Sequence, residues 1–229
     1  MRLIVAIFFL VMLAGCIGKN IRPFKIENVA KADIDLVTDI HIEQLQRLTQ
    51  YLTVKLYRRN PKELKKNPEM TIDKRIYQLM KIRRHPKQAL AELGHLDNVA
   101  ALNLAFSEDF SGDRVFALMA GVTVMLSNSY NNRVEFYMLD DIDQQKLYNS
   151  ARNLEIISWK LNNLKDDNGN ALLLSNGFSV NGVANYSYER LLSQMIIIQD
   201  MMAILISDSN NRTINKVVHG LASFFFIPV

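Results

Sequence analysis

Apolar residues recur every three to five positions along the first long amphipathic stretch: Val37, Ile40, Leu45, Leu48, Leu52 and Leu56. That spacing lays one apolar stripe along a helix. Asp33 or Asp35 supplies its cap, and the pattern carries it to about Arg58. Asn60-Pro61 then places a cap and a first-turn proline ahead of a short basic helix. Thr71 opens the next helix, with Ile72, Ile76, Leu79 and Met80 on one side. His85-Pro86 breaks it, a turn restarts through Leu93, and Gly94 reads as the stop. A further helix is predicted from about Asp97 to Phe106.

The pattern changes at "SEDFSGDR" (107–114), a polar loop that leads into "VFALMAGVTVML" (115–126), twelve residues without a charge. A helix apolar on all sides belongs in a core, and Gly121 lets a neighbour pack close. "RVEFYML" (133–139) reads as a short strand or a helix start. Leu147, Ala151, Leu154, Leu161 and Leu164 form the seam of a long helix over 140–165. The segment 165–182 is loop-rich, with Asn176-Gly177 as a hairpin turn. Helices over 186–207 and 213–223 complete the chain before "FFFIPV". The fold class is therefore all-α, a bundle of about seven to nine helices with room for one small β-hairpin.

Composition narrows this picture. The 229 residues are 49% apolar and 22% charged, with nine Gly and five Pro, which favours one globular domain over 33–229. The single cysteine rules out an internal disulfide and a zinc site of several thiolates. His41, His85, His95 and His219 form no helical His-x-x-x-His pair.

Arg2 is followed by "LIVAIFFLVMLAG", thirteen residues without a charge, too short to span a bilayer but matching a secretory signal. It ends at Leu13-Ala14-Gly15-Cys16, which resembles the lipobox of bacterial lipoproteins. The resemblance covers four residues and their position behind the apolar run. It implies a signal peptide over 1–15, cleavage before Cys16, and acylation of the Cys16 sulfur and of the new amino group. One acyl chain holds a protein at a membrane only marginally, and two or three anchor it stably. Ile17 stands where Asp would favour inner-membrane retention in this family, so the expected site is the periplasmic face of the outer membrane.

Residues 16–32 read as the lipidated N-terminus and a tether. About sixteen flexible residues span roughly 20–24 Å root mean square. Charge is unevenly spread. Residues 55–87 hold twelve Lys/Arg against three Asp/Glu, and 91–229 hold nine against fifteen. The basic segment 55–87 suits anionic headgroups or an acidic protein, or is a solvated face that pairs with the acidic remainder. Nucleic acid is not expected in this compartment.

Four features bear on chemistry. Glu108, Asp109, Asp113 and Arg114 precede the core helix. They read as helix capping, with a carboxylate pair for acid/base work as the alternative. Asp200 lies in the apolar run "LLSQMIIIQDMMAILI" and reads as a structural ion pair with Arg114, Arg190 or Arg212, or else as a perturbed functional acid. Asp140, Asp141 and Asp143 fit a helix N-terminus better than a calcium site, and "DDNGN" lacks both anchoring carboxylates of an EF-hand loop. The apolar end "VVHGLASFFFIPV" closes the core or fits a partner's groove.

No phosphate loop, His-Glu-x-x-His or Gly-x-Ser-x-Gly occurs. No catalytic residue, metal or cofactor is assigned. The expected function is a non-enzymatic binding or scaffolding module of the cell envelope. The alternatives are a cell-wall or lipid-processing enzyme using Glu108, Asp109 and Asp113, and a carrier of an apolar ligand between helices.

Overall fold

The computed structural model describes residues 31–84, 91–94, 96–137, 140–178, 181–215 and 225–229. Cys16, the lipobox, most of the tether and the His85-Pro86 break lie outside them. Among the described residues there are seven α-helices and one two-stranded antiparallel sheet, an all-α bundle with a small hairpin. The helices are α1 (Asp33–Arg59), α2 (Pro61–Lys65), α3 (Ile72–Arg84), α4 (Asn98–Ala105), α5 (Arg114–Ser129), α6 (Gln144–Asn163) and α7 (Ser187–Asn210).

The core is built around α5. All of its residues are buried except Asn128, and α1, α2, α3, α4 and α6 pack against it. Gly121 permits the closest approach. A Cβ there would lie 2.8 Å from Leu102 Cγ and 3.0 Å from its backbone nitrogen, so α4 could not seat against any larger residue. α6 and α7 form the other extensive pair, and α7 also packs on α1. By length and composition α7 is the one described helix able to cross a membrane, yet Leu191, Leu192, Met195, Met202 and Ile206 are built into the core.

α1 buries the apolar stripe except Ile40, and widens it with threonines. Ile42, Leu45, Leu52 and Leu56 are inside, but so are Thr38, Thr49 and Thr53, while Ile40 is half exposed. Each of these threonine hydroxyls donates to the carbonyl four residues back: Ile34, Leu45 and Thr49 respectively. The hydroxyls are satisfied within the helix, so the threonines present methyl groups to the core.

The caps are local. Asp97 accepts from Ala100 N–H, Asp113 from Phe116 N–H and Asp143 from Gln145 N–H. α6 therefore starts at Gln144 rather than at Asp140, whose carboxylate instead pairs with Arg133 at 2.8 Å. Residues 133–137 form neither strand nor helix. The hairpin strands are β1 (Gly177–Phe178) and β2 (Ala184–Asn185), so Gly177 begins a strand instead of forming the turn. Residues 213–215 are not helical, and 216–224 of the expected last helix lie outside the described residues.

Candidate functional site

The loop carboxylates ahead of α5 face opposite ways. Glu108 and Asp109 are exposed, whereas Asp113 and Arg114 are buried. Asp113 does cap α5, through Oδ1 and Phe116 N–H at 2.9 Å. Its other oxygen, Oδ2, accepts from the Tyr57 hydroxyl at 2.8 Å and lies 3.2 Å from Arg75 Nη2. Arg114 spends its guanidinium on carbonyls: Ala105 at 3.1 Å, Glu108 at 3.0 Å, and Ser107. It thereby closes the carboxyl end of α4 and holds the loop.

The centre of this cluster is Arg75, a member of the basic segment 55–87. Its side chain is 0% exposed and lies 4.1 Å from the centroid of the Phe116 ring. Glu92 receives it in a two-pronged pair at 2.6 and 2.8 Å, and Gln78 accepts at 2.9 Å. Glu63 completes the set, accepting from Arg114 N–H at 2.9 Å and from Lys66 Nζ at 2.8 Å. Burial pushes the Asp113 carboxyl up, against the opposing effect of Phe116 N–H, Tyr57 and Arg75. Burial and the Asp113 carboxylate push the Tyr57 phenol up. Arg75 is also raised: burial acts to lower it and is outweighed by Glu92, Tyr57 and Asp113. Apart from Arg75 Nε, which has no hydrogen-bond partner, these groups are held by protein partners, and none lines the groove described next.

That groove lies between α1, α3 and α5. It is a half-open surface trough whose cavity volume is about 60 Å³. Ile42, Leu45, Ile76, Leu79, Met80 and Leu126 form its apolar body. Thr49, Thr53 and Thr123 also line it, and their hydroxyls donate to the carbonyls of Leu45, Thr49 and Met119. The exception is Ser127, 6% exposed, whose Oγ has no hydrogen-bond partner. It lines the same end of the groove as Tyr130 and Arg133.

Asp200 is ion-paired, but with a different arginine. Arg152 Nη2 lies 2.6 Å from its Oδ2, because α6 packs along α7. Arg114 is committed to its carbonyls, and Arg212 lies 3.9 Å from Asp141. Burial pushes the Asp200 carboxyl up, and Arg152 opposes the shift. The polar centre of α7 is instead Gln199, fully buried, which accepts from the Tyr130 hydroxyl at 2.8 Å and donates to Ser129 Oγ at 2.9 Å and to Ser150 Oγ.

The basic segment 55–87 loses Arg75 to the core and Lys66 to Glu63. Arg58, Arg59, Lys62, Lys65, Lys74 and Lys81 are exposed. Among the described residues no group of three or more His, Cys, Asp or Glu is placed to hold a metal ion. No protein-family model, curated protein or solved structure matches the chain.

Proposed function

We propose that this chain is a non-enzymatic binding module of a bacterial envelope, anchored through lipid on Cys16 at the periplasmic face of the outer membrane. In this reading the α1–α3–α5 groove takes one apolar ligand chain of the lipid acyl type. The observation that carries it is the groove lining: mostly aliphatic side chains and threonine methyls, with Gln46, Gln50 and Arg133 among them and Ser127 the one buried hydroxyl left unpaired among the described residues. Each methylene moved from water into such a lining contributes about 0.8 kcal/mol. Ser127 offers such a ligand a single hydrogen bond.

The lipobox supports the anchor, and the tether keeps the groove close to the membrane. The exposed cations Arg58, Arg59, Lys62 and Lys65 support contact with anionic headgroups or an acidic protein. The enzyme alternative has less support. Asp113 faces inward, Glu108 and Asp109 face outward, and none of the three lines the groove.

The test is titration of the unlipidated Cys16→Ser chain with a fluorescent polyenoic fatty acid. Saturable binding is expected, and Thr49→Phe, which fills the groove, should abolish it in a chain that far-UV circular dichroism shows to be folded. Binding that ignores Thr49→Phe overturns the groove as the site. Fractionation and mature mass test the anchor: Cys16→Ser should lose lipidation and be released or misprocessed, and a variant processed and fractionated like the wild type overturns that part.

A further inference from the structure

α7 buries one side and leaves the other uncovered. Leu191, Leu192, Met195, Met202 and Ile206 are in the core, whereas Ile197, Met201, Ile204 and Leu205 are each 40–56% exposed. Spacings of three and four residues put Ile197, Met201 and Ile204 on one face, with Leu205 beside them. Exposed Gln194 and Asp208 bound this patch at its two ends, and Asp200 on its flank is paired with Arg152. A contiguous apolar patch marks a contact surface, where scattered single residues do not.

The patch lies toward the end of the domain where the tether enters. Ala32, Ile34 and Asp35 at the start of α1 share one small cavity with Ile206, Ser209 and Asn210 at the end of α7. At the other end of the pair the Tyr188 hydroxyl donates to Lys55 C=O at 2.9 Å, so the two helices run antiparallel. From Asn210 back to Ile197 is about 20 Å along α7, at about 1.5 Å per residue. A flexible chain from Cys16 to Lys31 spans roughly 20–24 Å root mean square. Arg58 and Arg59 stand about 40 Å from the start of α1, beyond that span. A bilayer held through Cys16 therefore meets the α7 patch before it meets the basic end of the domain.

We propose that the Ile197/Met201/Ile204/Leu205 face of α7 rests on the headgroup–acyl boundary of the bilayer that holds the lipid on Cys16. The inference rests on that anchor. α7 does not cross the bilayer, because its other side is the core of the domain. It makes the shallow contact of an interfacial helix, about 5–10 Å deep. A second copy of this chain is the weaker occupant. A stable interface takes roughly 20–30 residues a side, and this patch is four apolar residues. Lipid needs no such area, because the anchor supplies the attachment and the patch only sets the orientation.

The test uses the chain from Cys16 onward, which keeps every described residue, coupled through its single thiol to a maleimide-headgroup lipid. The coupling supplies the anchor chemically, so the result does not depend on lipidation in cells. The vesicles are phosphatidylcholine, with or without bromine near the headgroup end of the acyl chains. Trp159→Phe removes the native indole. In that background Met201→Trp should lose most of its fluorescence in brominated vesicles. Tyr77→Trp, on the exposed side of α3, should keep its emission. Ile204→Asp with Leu205→Asp should restore the emission of Met201→Trp. All of these replace exposed side chains, where substitutions leave the fold intact.

Equal emission of Met201→Trp in the two kinds of vesicle overturns the contact, as does equal quenching of Met201→Trp and Tyr77→Trp. Neither result touches the anchor, which the mature mass of the cellular protein tests separately. A dimer in vesicle-free solution that Ile204→Asp dissociates assigns the patch to a second copy and overturns the bilayer.

Discussion

The amino end of α5 and the groove along its flank are built from the same three helices, α1, α3 and α5, yet they solve burial in opposite ways. At the amino end Tyr57, Arg75 and Asp113 are nearly inaccessible, and Arg75 alone meets Gln78, Glu92 and Asp113. Along the flank the lining hydroxyls of Thr49, Thr53 and Thr123 turn to their own helices, and aliphatic groups face empty space. A ligand could enter the first region only by breaking charge-assisted bonds, whereas in the second it displaces nothing but solvent. The difference separates a structural polar centre from a binding surface, although the first has the more conspicuous chemistry.

The sharpest break of this contrast is Arg75→Met. It leaves Asp113, with a side chain only 3% exposed, facing no cation. Removing one member of a buried pair costs roughly 3–5 kcal/mol. The melting temperature should fall by about 6–20 °C, since each kcal/mol is about 2–4 °C in a domain of this size. Asp113→Asn in the same chain should recover part of the loss, because it removes the stranded charge. Equal melting temperatures for Arg75→Met and wild type would place the polar centre outside the stability of the fold.

A smaller effect is a pH slope. The Asp113 carboxyl is raised in the folded state by burial, so the folded chain holds this proton more tightly than the unfolded one. The resulting stabilisation is complete below the ordinary Asp range near pH 4 and is lost as pH rises through the raised folded value. Urea unfolding from pH 4 to 7 should show wild type losing stability relative to Asp113→Asn, with that sign. A relative gain as pH rises would mean that Arg75 and Tyr57 outweigh burial.

The least effect on stability belongs to the groove. Ser127→Ala removes a buried hydroxyl without a partner. It should leave stability unchanged or raise it by up to about 1 kcal/mol. Fatty-acid affinity should meanwhile fall by the loss of one hydrogen bond, about tenfold. A clear drop in melting temperature would show that Ser127 serves the fold rather than a ligand.

Legibility in the sequence followed the range of the interaction. The α5 core helix, its Asp113 cap and the close approach at Gly121 were readable, because composition and contacts within four positions decide them. The buried face of α1 was readable except at Ile40, and its width was not, because counting apolar residues leaves out threonines whose hydroxyls are satisfied by their own helix. Asp200 was readable as an ion pair, but Arg152 was not readable as its partner, because 48 positions separate them and only the packing of α6 on α7 brings them together. An amide stripe on α6 is visible as Gln145, Asn149 and Asn153 at four-residue spacing. Nothing in that spacing says that the main chain of Asn215, Pro228 and Ile227 lies across it.

The sequence by itself determined most of the helical segments, the Asp97, Asp113 and Asp143 caps and the all-buried character of α5. Each depends on side chains close along the chain, through periodicity, local hydrogen bonds or composition. Tertiary structure decided that Arg75 turns inward, that Asp113 serves the core, that a groove stays open beside α5, and that α6 holds residues 225–229. Those outcomes depend on which helix faces meet. Burial can make the same guanidinium a core residue or a surface charge, and only the packed helices choose between them.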